Sequence, residues 1–496
     1  MGIIRKQSIY SSIFSYMGFI VGAVNKLLIF PLFFSTTEIG LTTVAVDLGL
    51  VFASLATFGS NSVTAKFFPF YKAYLPKKKN DLPALTLFTC IGGCIIITLA
   101  LVVFKDFIVR KFGQNSAMFV THYHLLYPLV VTIALFLLFE AFAWSIQKTV
   151  ISNFLREVLF RVVVLVLLLL YIYKVIPLET FFTLYSYIYL PSVVALLIYL
   201  ISTGNFRINF SISNVTRRMY KRIASYGALI FSGAMLNVIS RTIDVIFLAS
   251  QSAGGLSDAN VFSYGSYMIS IMDVPQRSIV AIATPIISQA WKDKNMQQIH
   301  ELYQKTSLNL LIVGFFIWGV IFLNMHNAIQ YLGSAYAPMQ WIFVVMGVAK
   351  LIDLGTGANS QILLLSKYWR LDFVTNMLFV AIALPLNYTL IHKYGIYGPA
   401  YANLIALTIF NSVRFFYIWK LFRLQPFTKN TLYAILIAVV CVSIVHFVPV
   451  MPNLYLDILV RSAIFVLLFA TSILYFNVSE DLTALFQQTL QRFKKK

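Results

Sequence analysis

The chain is predicted to be an all-α integral membrane protein with about 14 transmembrane helices, and three observations predict it. Of its 496 residues, 59% are hydrophobic and 11% charged, against about 25% charged in a soluble domain. Apolar runs of about 20 residues recur from one end to the other, each long enough to cross the hydrocarbon core as a helix. The net charge of +21 gathers in the connections between those runs, the pattern that sets membrane orientation.

The runs fall at about 9–35, 40–65, 84–104, 119–146, 155–173, 178–202, 223–250, 259–290, 306–325, 339–365, 371–391, 397–419, 430–449 and 456–477. The first follows Arg5 and Lys6; it is too long for a signal-peptide core and has no small-residue cleavage site, so it reads as a retained helix. The eighth and tenth are interrupted by polar residues, at Asp273-Val-Pro-Gln-Arg277 and at Gly355–Gln361. Pro31, Pro275 and Pro285 break otherwise apolar spans, which membrane helices tolerate where protein or water satisfies the freed backbone.

Expected organisation is an N-terminal lobe of six spans (1–202), a basic cytoplasmic linker (203–222), a second six-span lobe (223–422), two further spans (423–478) and a basic amphipathic tail (479–496). The linker holds Arg207, Arg217, Arg218, Lys221 and Arg222. An offset of about 219 residues lays span 1 on span 7, span 2 on span 8 and span 5 on span 11, the layout of an internal repeat common among transporters. With the N-terminus inside, the outer segments hold only Lys105, Arg110, Lys111, Lys174 and Lys393, while Lys77, Lys78, Lys79, the linker cations and the terminal lysines fall inside. Both termini are therefore expected in the cytoplasm.

No connection exceeds about 20 residues, which leaves no room for a catalytic or nucleotide-binding domain outside the membrane. The chain has no GxxxxGK[ST] loop and no HExxH. Cys90, Cys94 and Cys441 lie in apolar runs without accompanying ligands, and read as core thiols. The sequence points away from an enzyme, a metal site, a cofactor and a nucleic-acid partner.

Charges inside the spans carry the functional signal. The stretch Tyr226–Gln251 could cross a bilayer, yet it holds Arg241 and Asp244. A charge at the bilayer centre costs about 2.5–3.5 kcal/mol on insertion scales, so it faces protein or water. Five cations lie deep: Lys26, Arg161, Arg241, Arg277 and Lys350. Arg156, Arg414 and Arg461 lie nearer helix ends, where they can snorkel. Four local pairings are spaced to form within a helix: Glu157–Arg161, Arg241–Asp244, Asp273–Arg277 and Lys350–Asp353. Lys26 has no acid at i±3 or i±4, which makes it the leading contact for an external anion, with Asp47 on the next span as its alternative partner. Asp47, Glu140 and Asp273 are candidates for coupling to a proton or to sodium.

The stretch from Asn25 to Ser62, NKLLIFPLFFSTTEIGLTTVAVDLGLVFASLATFGSNS, and the run YGIYGPAYANLIALTIFNSVRFFYI from Tyr394 to Ile418, together with the 6+6+2 layout and short loops, resemble a Wzx-type polysaccharide flippase of the multidrug/oligosaccharidyl-lipid/polysaccharide exporter superfamily. The resemblance covers nearly the whole chain. It implies a V-shaped, two-lobed fold, and alternating access that moves an undecaprenyl-diphosphate-linked oligosaccharide from the cytoplasmic to the periplasmic leaflet of a bacterial inner membrane. It also implies a place in O-antigen and lipopolysaccharide synthesis beside polysaccharide polymerase machinery. Related peptidoglycan-precursor flippases place cations on spans 1, 2 and 8; Lys26 and Arg277 match the first and last, and Asp47 stands on span 2. A cation-coupled multidrug exporter of the same superfamily and a membrane polysaccharide polymerase or ligase are the alternatives.

Overall fold

The computed structural model describes residues 3–204, 206–484 and 487, with side chains from Ile13 onward except at 77, 229, 232–234 and 237. Helix makes up 85% of the structure, with no strand among the described residues. The all-α membrane fold is as expected. Among the described residues ten stretches are long and apolar enough to cross a membrane, and the 54-residue stretch Trp369–Phe422 comprises two long helices. Of the expected tail 479–496, residues 485, 486 and 488–496 lie outside the described residues. Packing divides the chain into two compact units, Met1–Asn260 and Val261–Lys496.

The first unit opens with α1 (Ile3–Ala23), a π turn (Val24–Ile29) and α2 (Phe30–Phe33). Pro31 has no N–H for the carbonyl one turn back, and the Phe30 N–H reaches Asn25 O instead, the longer bond of a π turn. Next comes α3 (Thr36–Ala56), started by a capping box of Ser35 and Glu38. After a break in which Gly59 adopts φ +73°, α4 (Ser60–Tyr74) continues. The second span is thus two helices, and it extends beyond the expected end at residue 65. The chain continues through α5 (Leu82–Val103), two short helices α6 (Lys105–Gly113) and α7 (Ala117–Thr121), and α8 (Leu126–Ser145). Then follow α9 (Thr149–Phe154), a second π turn (Leu155–Leu159), α10 (Phe160–Ile172), α11 (Leu178–Tyr185) and α12 (Leu190–Ser202). The central helix of the unit is α8, which packs on α3, α4, α5 and α12.

The 38-residue α13 (Asn214–Gln251) begins inside the basic stretch 203–222 rather than after it. Ser213 caps it, and Asp81 holds the cap, accepting from the Ser213 N–H at 2.8 Å and the Thr216 hydroxyl at 2.7 Å. Further along, α13 packs on α3, α4 and α6.

From α14 (Gly255–Ser270), which crosses into the second unit, the chain breaks at 271–272 and resumes as α15 (Asp273–Lys292). It continues through α16 (Met296–Leu323), α17 (Met325–Leu332) and α18 (Met339–Gly355), a break at 356–358 and α19 (Asn359–Leu365). The unit closes with α20 (Trp369–Tyr394), α21 (Gly398–Phe422), α22 (Lys429–His446) and α23 (Leu454–Tyr475). The break in span 10 falls inside the expected Gly355–Gln361 interruption, whereas in span 8 it falls at 271–272, just before Asp273–Arg277, which forms the first turn of α15; α15 also continues through Pro285. Here α16 anchors the last helices: Ile312 and Leu323 pack with Ala434, Ala438 and Cys441 of α22 and with Phe465 and Phe469 of α23.

Small residues set the close approaches, as expected where lipid supplies no hydrophobic drive between helices. A Cβ added at Gly93 of α5 would lie 1.9 Å from the Ala56 carbonyl oxygen, whereas one added at Gly92 meets nothing within 4 Å. Gly93→Ala is therefore expected to destabilise the protein by about 1–3 kcal/mol, the usual cost of overpacking, and Gly92→Ala to leave it unchanged. Thermal unfolding of the two purified variants in one detergent checks this; equal midpoints would contradict the packing.

Candidate functional site

Two π turns lie in the first unit, the first packed on α10, the helix that continues from the second, and charges of the spans stand on and around them. α1 packs on the second π turn, at a point where a Cβ on Gly18 would lie 2.2 Å from Glu157 O. The Asn25 side chain donates its Nδ2–H to Arg161 O at 2.8 Å, tying the first π turn to α10. Such turns are rare in helices and frequent at functional sites. Arg156 Nη2 lies 2.5 Å from Glu140 Oε2 on α8, and Arg161 Nη1 lies 2.6 Å from Glu157 Oε2. Tyr189, between α11 and α12, is within electrostatic reach of all four charges. Lys26 interacts with Asp47 on α3, and Asp47 also faces Asp244 on α13. The Tyr185 phenol, bonded to Thr42, adjoins Asp47.

The second unit holds a tighter arrangement of the same composition. Lys350 Nζ on α18 lies 2.6 Å from Asp273 Oδ1 and 3.0 Å from Asp353 Oδ2. It also donates to Gln276 Oε1 at 2.6 Å. Gln276 Nε2 donates to Asp353 Oδ2 at 3.1 Å, and Asn411 Nδ2 of α21 to Asp353 Oδ1 at 3.3 Å. Thr356 and Asn359, in and after the break in span 10, bond Asn411 Oδ1 at 2.9 Å. The break thus frees α19 to point its first residue at the network. An apolar cleft of about 420 Å³ adjoins it, lined by Leu311, Phe315, Leu351, Phe415 and Ile435 with Thr356 and Asn411 as polar wall.

Of the local pairs expected from spacing, Glu157–Arg161 and Lys350–Asp353 form. Asp273 turns instead to Lys350, and Asp244 faces Asp47. Arg241 and Arg277 are left exposed, with no ion pair among the described residues. Lys26, singled out for having no acid on its own helix, meets Asp47 across helices. The three arginines near helix ends are not simply snorkelling. Arg414 is buried, 2.5 Å from Asp372, and Arg461 is buried against Asp457 at 2.8 Å, while Arg156 holds Glu140. Gln276, Thr356 and Asn411 were not singled out individually from the sequence; their signal was a polar side chain in an otherwise apolar run. Among the described residues no group of three His, Cys, Asp or Glu could hold a metal ion.

No protein-family model matches the chain, and no curated protein matches it in sequence. Its fold does match solved structures. A lipid II flippase MurJ in an inward closed conformation superposes with a TM-score of 0.72 at 14% identity, covering 97% of this chain and 99% of that one. An inward-facing multidrug resistance MATE family transporter of the MOP superfamily gives 0.59 at 16% identity, over 85% of this chain and 95% of that one. A mutant of the Vibrio cholerae MATE transporter VcmN gives 0.53 at 13% identity, over 84% of this chain and 97% of that one. The chain is a multi-pass membrane protein with the fold of these structures.

Removing Lys350 would leave Asp273 and Asp353 facing each other without the ammonium between them. Lys350→Met is expected to cost about 3 kcal/mol, the low end for breaking a buried ion pair. The double variant Lys350→Met/Asp353→Asn should recover part of that loss. Unfolding midpoints of the single and double variants test this, and a single variant as stable as the parent would refute the arrangement.

Proposed function

We propose that this protein is a flippase that moves undecaprenyl-diphosphate-linked oligosaccharide from the cytoplasmic to the periplasmic leaflet of a bacterial inner membrane by alternating access. The carrying observation is that Arg241 and Arg277, alone among the five deep cations, are exposed and have no ion pair among the described residues. A guanidinium is always charged and presents a fork of donors that suits phosphate oxygens. The proposal gives Arg241 and Arg277, each in its own unit, contacts with diphosphate or acidic sugar, and Lys26, Arg161 and Lys350 contacts made when their carboxylate partners are displaced or protonated. Asp47, Glu140 and Asp273 are the coupling residues for a proton or sodium. The apolar cleft beside Asn411 suits part of a prenyl chain.

Several features support the reading. The match to the MurJ structure covers 97% of the chain, so α22 and α23 belong to the shared fold, while the MATE match covers 85%. Two six-helix lobes, 1–202 and 223–422, followed by spans 13 and 14 and the basic tail 479–496, with both termini in the cytoplasm, complete the proposed topology. A polysaccharide polymerase on the periplasmic side is the proposed partner, and O-antigen or a related lipopolysaccharide glycan the proposed product. Cation-coupled multidrug export is the second reading. It is favoured by the fold shared with MATE transporters.

Deletion of the gene in its host, with restoration from a plasmid, tests the proposal. Loss should make the lipid-linked glycan accumulate on the cytoplasmic leaflet and remove surface polysaccharide. Arg241→Ala and Arg277→Ala should each reduce restoration at least tenfold at unchanged membrane abundance, since a charge-assisted phosphate contact is worth on the order of 1.5–3 kcal/mol. Unchanged glycan with altered drug tolerance would establish the second reading instead. Accumulation of unpolymerised units on the outer leaflet would point to a polymerase or ligase.

A further inference from the structure

Glu140 is the most enclosed of the acids near the π-turn junction: it is 3% exposed, on the central helix α8. One of its oxygens, Oε2, is taken by Arg156 Nη2 at 2.5 Å. The other, Oε1, is buried and has no hydrogen-bond partner among the described residues. An ionised carboxylate can accept about four hydrogen bonds, and a buried oxygen that accepts none destabilises the charged form. Arg156 is placed differently. Its side chain is 38% exposed, and its guanidinium stands 5.7 Å from the Trp144 ring, which is itself fixed by a bond from Nε1 to Ser152 Oγ at 3.0 Å. A buried acid is thereby connected to a partly exposed cation through one bond.

We propose that Glu140 is a proton-binding residue of the first unit, and that a proton taken up at Oε1 frees Arg156 to act as an uncompensated cation. This deepens the reading of the chain as an ion-coupled exporter of an anion and rests on it. The chemistry selects a proton over a metal cation. Sodium needs several oxygen ligands, whereas Oε1 is the one unmet acceptor of Glu140 and a guanidinium occupies its other oxygen. The charged groups acting on Glu140 are Arg156 and Glu157 of the second π turn; Tyr189 is the titratable phenol in reach of it. From α3, α4, α5 and α12, which also pack on α8, no further charge acts on it among the described residues. Glu157 is held by Arg161 at 2.6 Å and is not open to take over Arg156. The four side chains Glu140, Arg156, Glu157 and Arg161 are neutral together when all are ionised, and carry one positive charge once Glu140 is protonated. An anion then binds more tightly, and by linkage a bound anion favours the proton in equal measure.

The test needs no substrate. Infrared difference spectra of the purified full-length protein in lipid nanodiscs, taken on acidification, should show the band of a buried protonated carboxyl. That band should disappear in Glu140→Gln and persist in Glu157→Gln. If Glu140→Gln does not fold, carbodiimide labelling of the wild type decides the matter: the adduct should appear on Glu140 and increase as the pH falls. A band that survives in Glu140→Gln, or an adduct confined to Asp47, Asp244 or Asp273, would overturn the proposal. A Glu140 signal in a protein whose deletion leaves glycan export intact would keep the proton site and reject the flippase reading. Loss of export without a Glu140 signal would do the reverse.

Discussion

A charge within the hydrocarbon must be neutralised by protein or kept wet, and the interior of this molecule is arranged around that constraint. In the first unit it brings α1, α8 and α10 together at two π turns, where Glu140 meets Arg156 and Glu157 meets Arg161. In the second it draws α15, α18 and α21 onto Lys350 through Asp273, Asp353, Gln276 and Asn411. The helix interruptions follow from the same need. Unwound or widened turns expose backbone groups that lipid cannot satisfy, and here they sit beside side chains that can. Asn25 bonds the Arg161 carbonyl, the Ser307 hydroxyl donates to the Gly355 carbonyl, and the Ala358 N–H donates to the Thr306 hydroxyl.

Much of the fold was legible because bilayer thickness imposes a length on every apolar run. Even the two interrupted spans were marked: the Gly355–Gln361 stretch contains a break at 356–358, and Asp273-Val-Pro-Gln-Arg277 follows directly on one at 271–272 and starts the next helix. What hydropathy could not show is where a helix goes once it leaves the apolar region. α13 starts at Asn214, well inside the basic stretch, because Ser213 and Asp81 cap it there. Similarly, α4 runs on to Tyr74 through residues such as Lys66 and Lys72 that lower the hydropathy without opposing a helix.

The site was less legible, for a reason that is also physical. Helical spacing identifies which charges can meet along one helix, and it identified Glu157–Arg161 and Lys350–Asp353 correctly. It carries no information about partners on other helices. Asp273 had two cations available, Arg277 at i+4 and Lys350 far along the chain, and the tertiary packing placed Lys350 at 2.6 Å. Lys26 gained Asp47 in the same way. Arg414 and Arg461 looked peripheral by position, yet each is buried against an aspartate. Snorkelling competes with pairing, and a nearby carboxylate at low dielectric wins because the ammonium or guanidinium then needs no water.

The residual charges have a simple arithmetic. Each unit has a lysine set against acid, Lys26 with Asp47, and Lys350 with Asp273 and Asp353. Neither lysine therefore offers a surplus positive charge to an incoming anion while its aspartate partners are ionised. Arg241 in the first unit and Arg277 in the second do offer one, being exposed and unpaired among the described residues. A diphosphate is a compact anion that an exposed guanidinium can meet without breaking any of the internal pairs. A cationic drug would find the opposite pattern: carboxylates already occupied by lysines, and exposed arginines that repel it. On the proposed reading the paired charges keep the spans folded in the absence of cargo, each exposed arginine offers its own unit a contact for anionic cargo, and uptake of a proton at Glu140 adds a further positive charge only when the cycle supplies it.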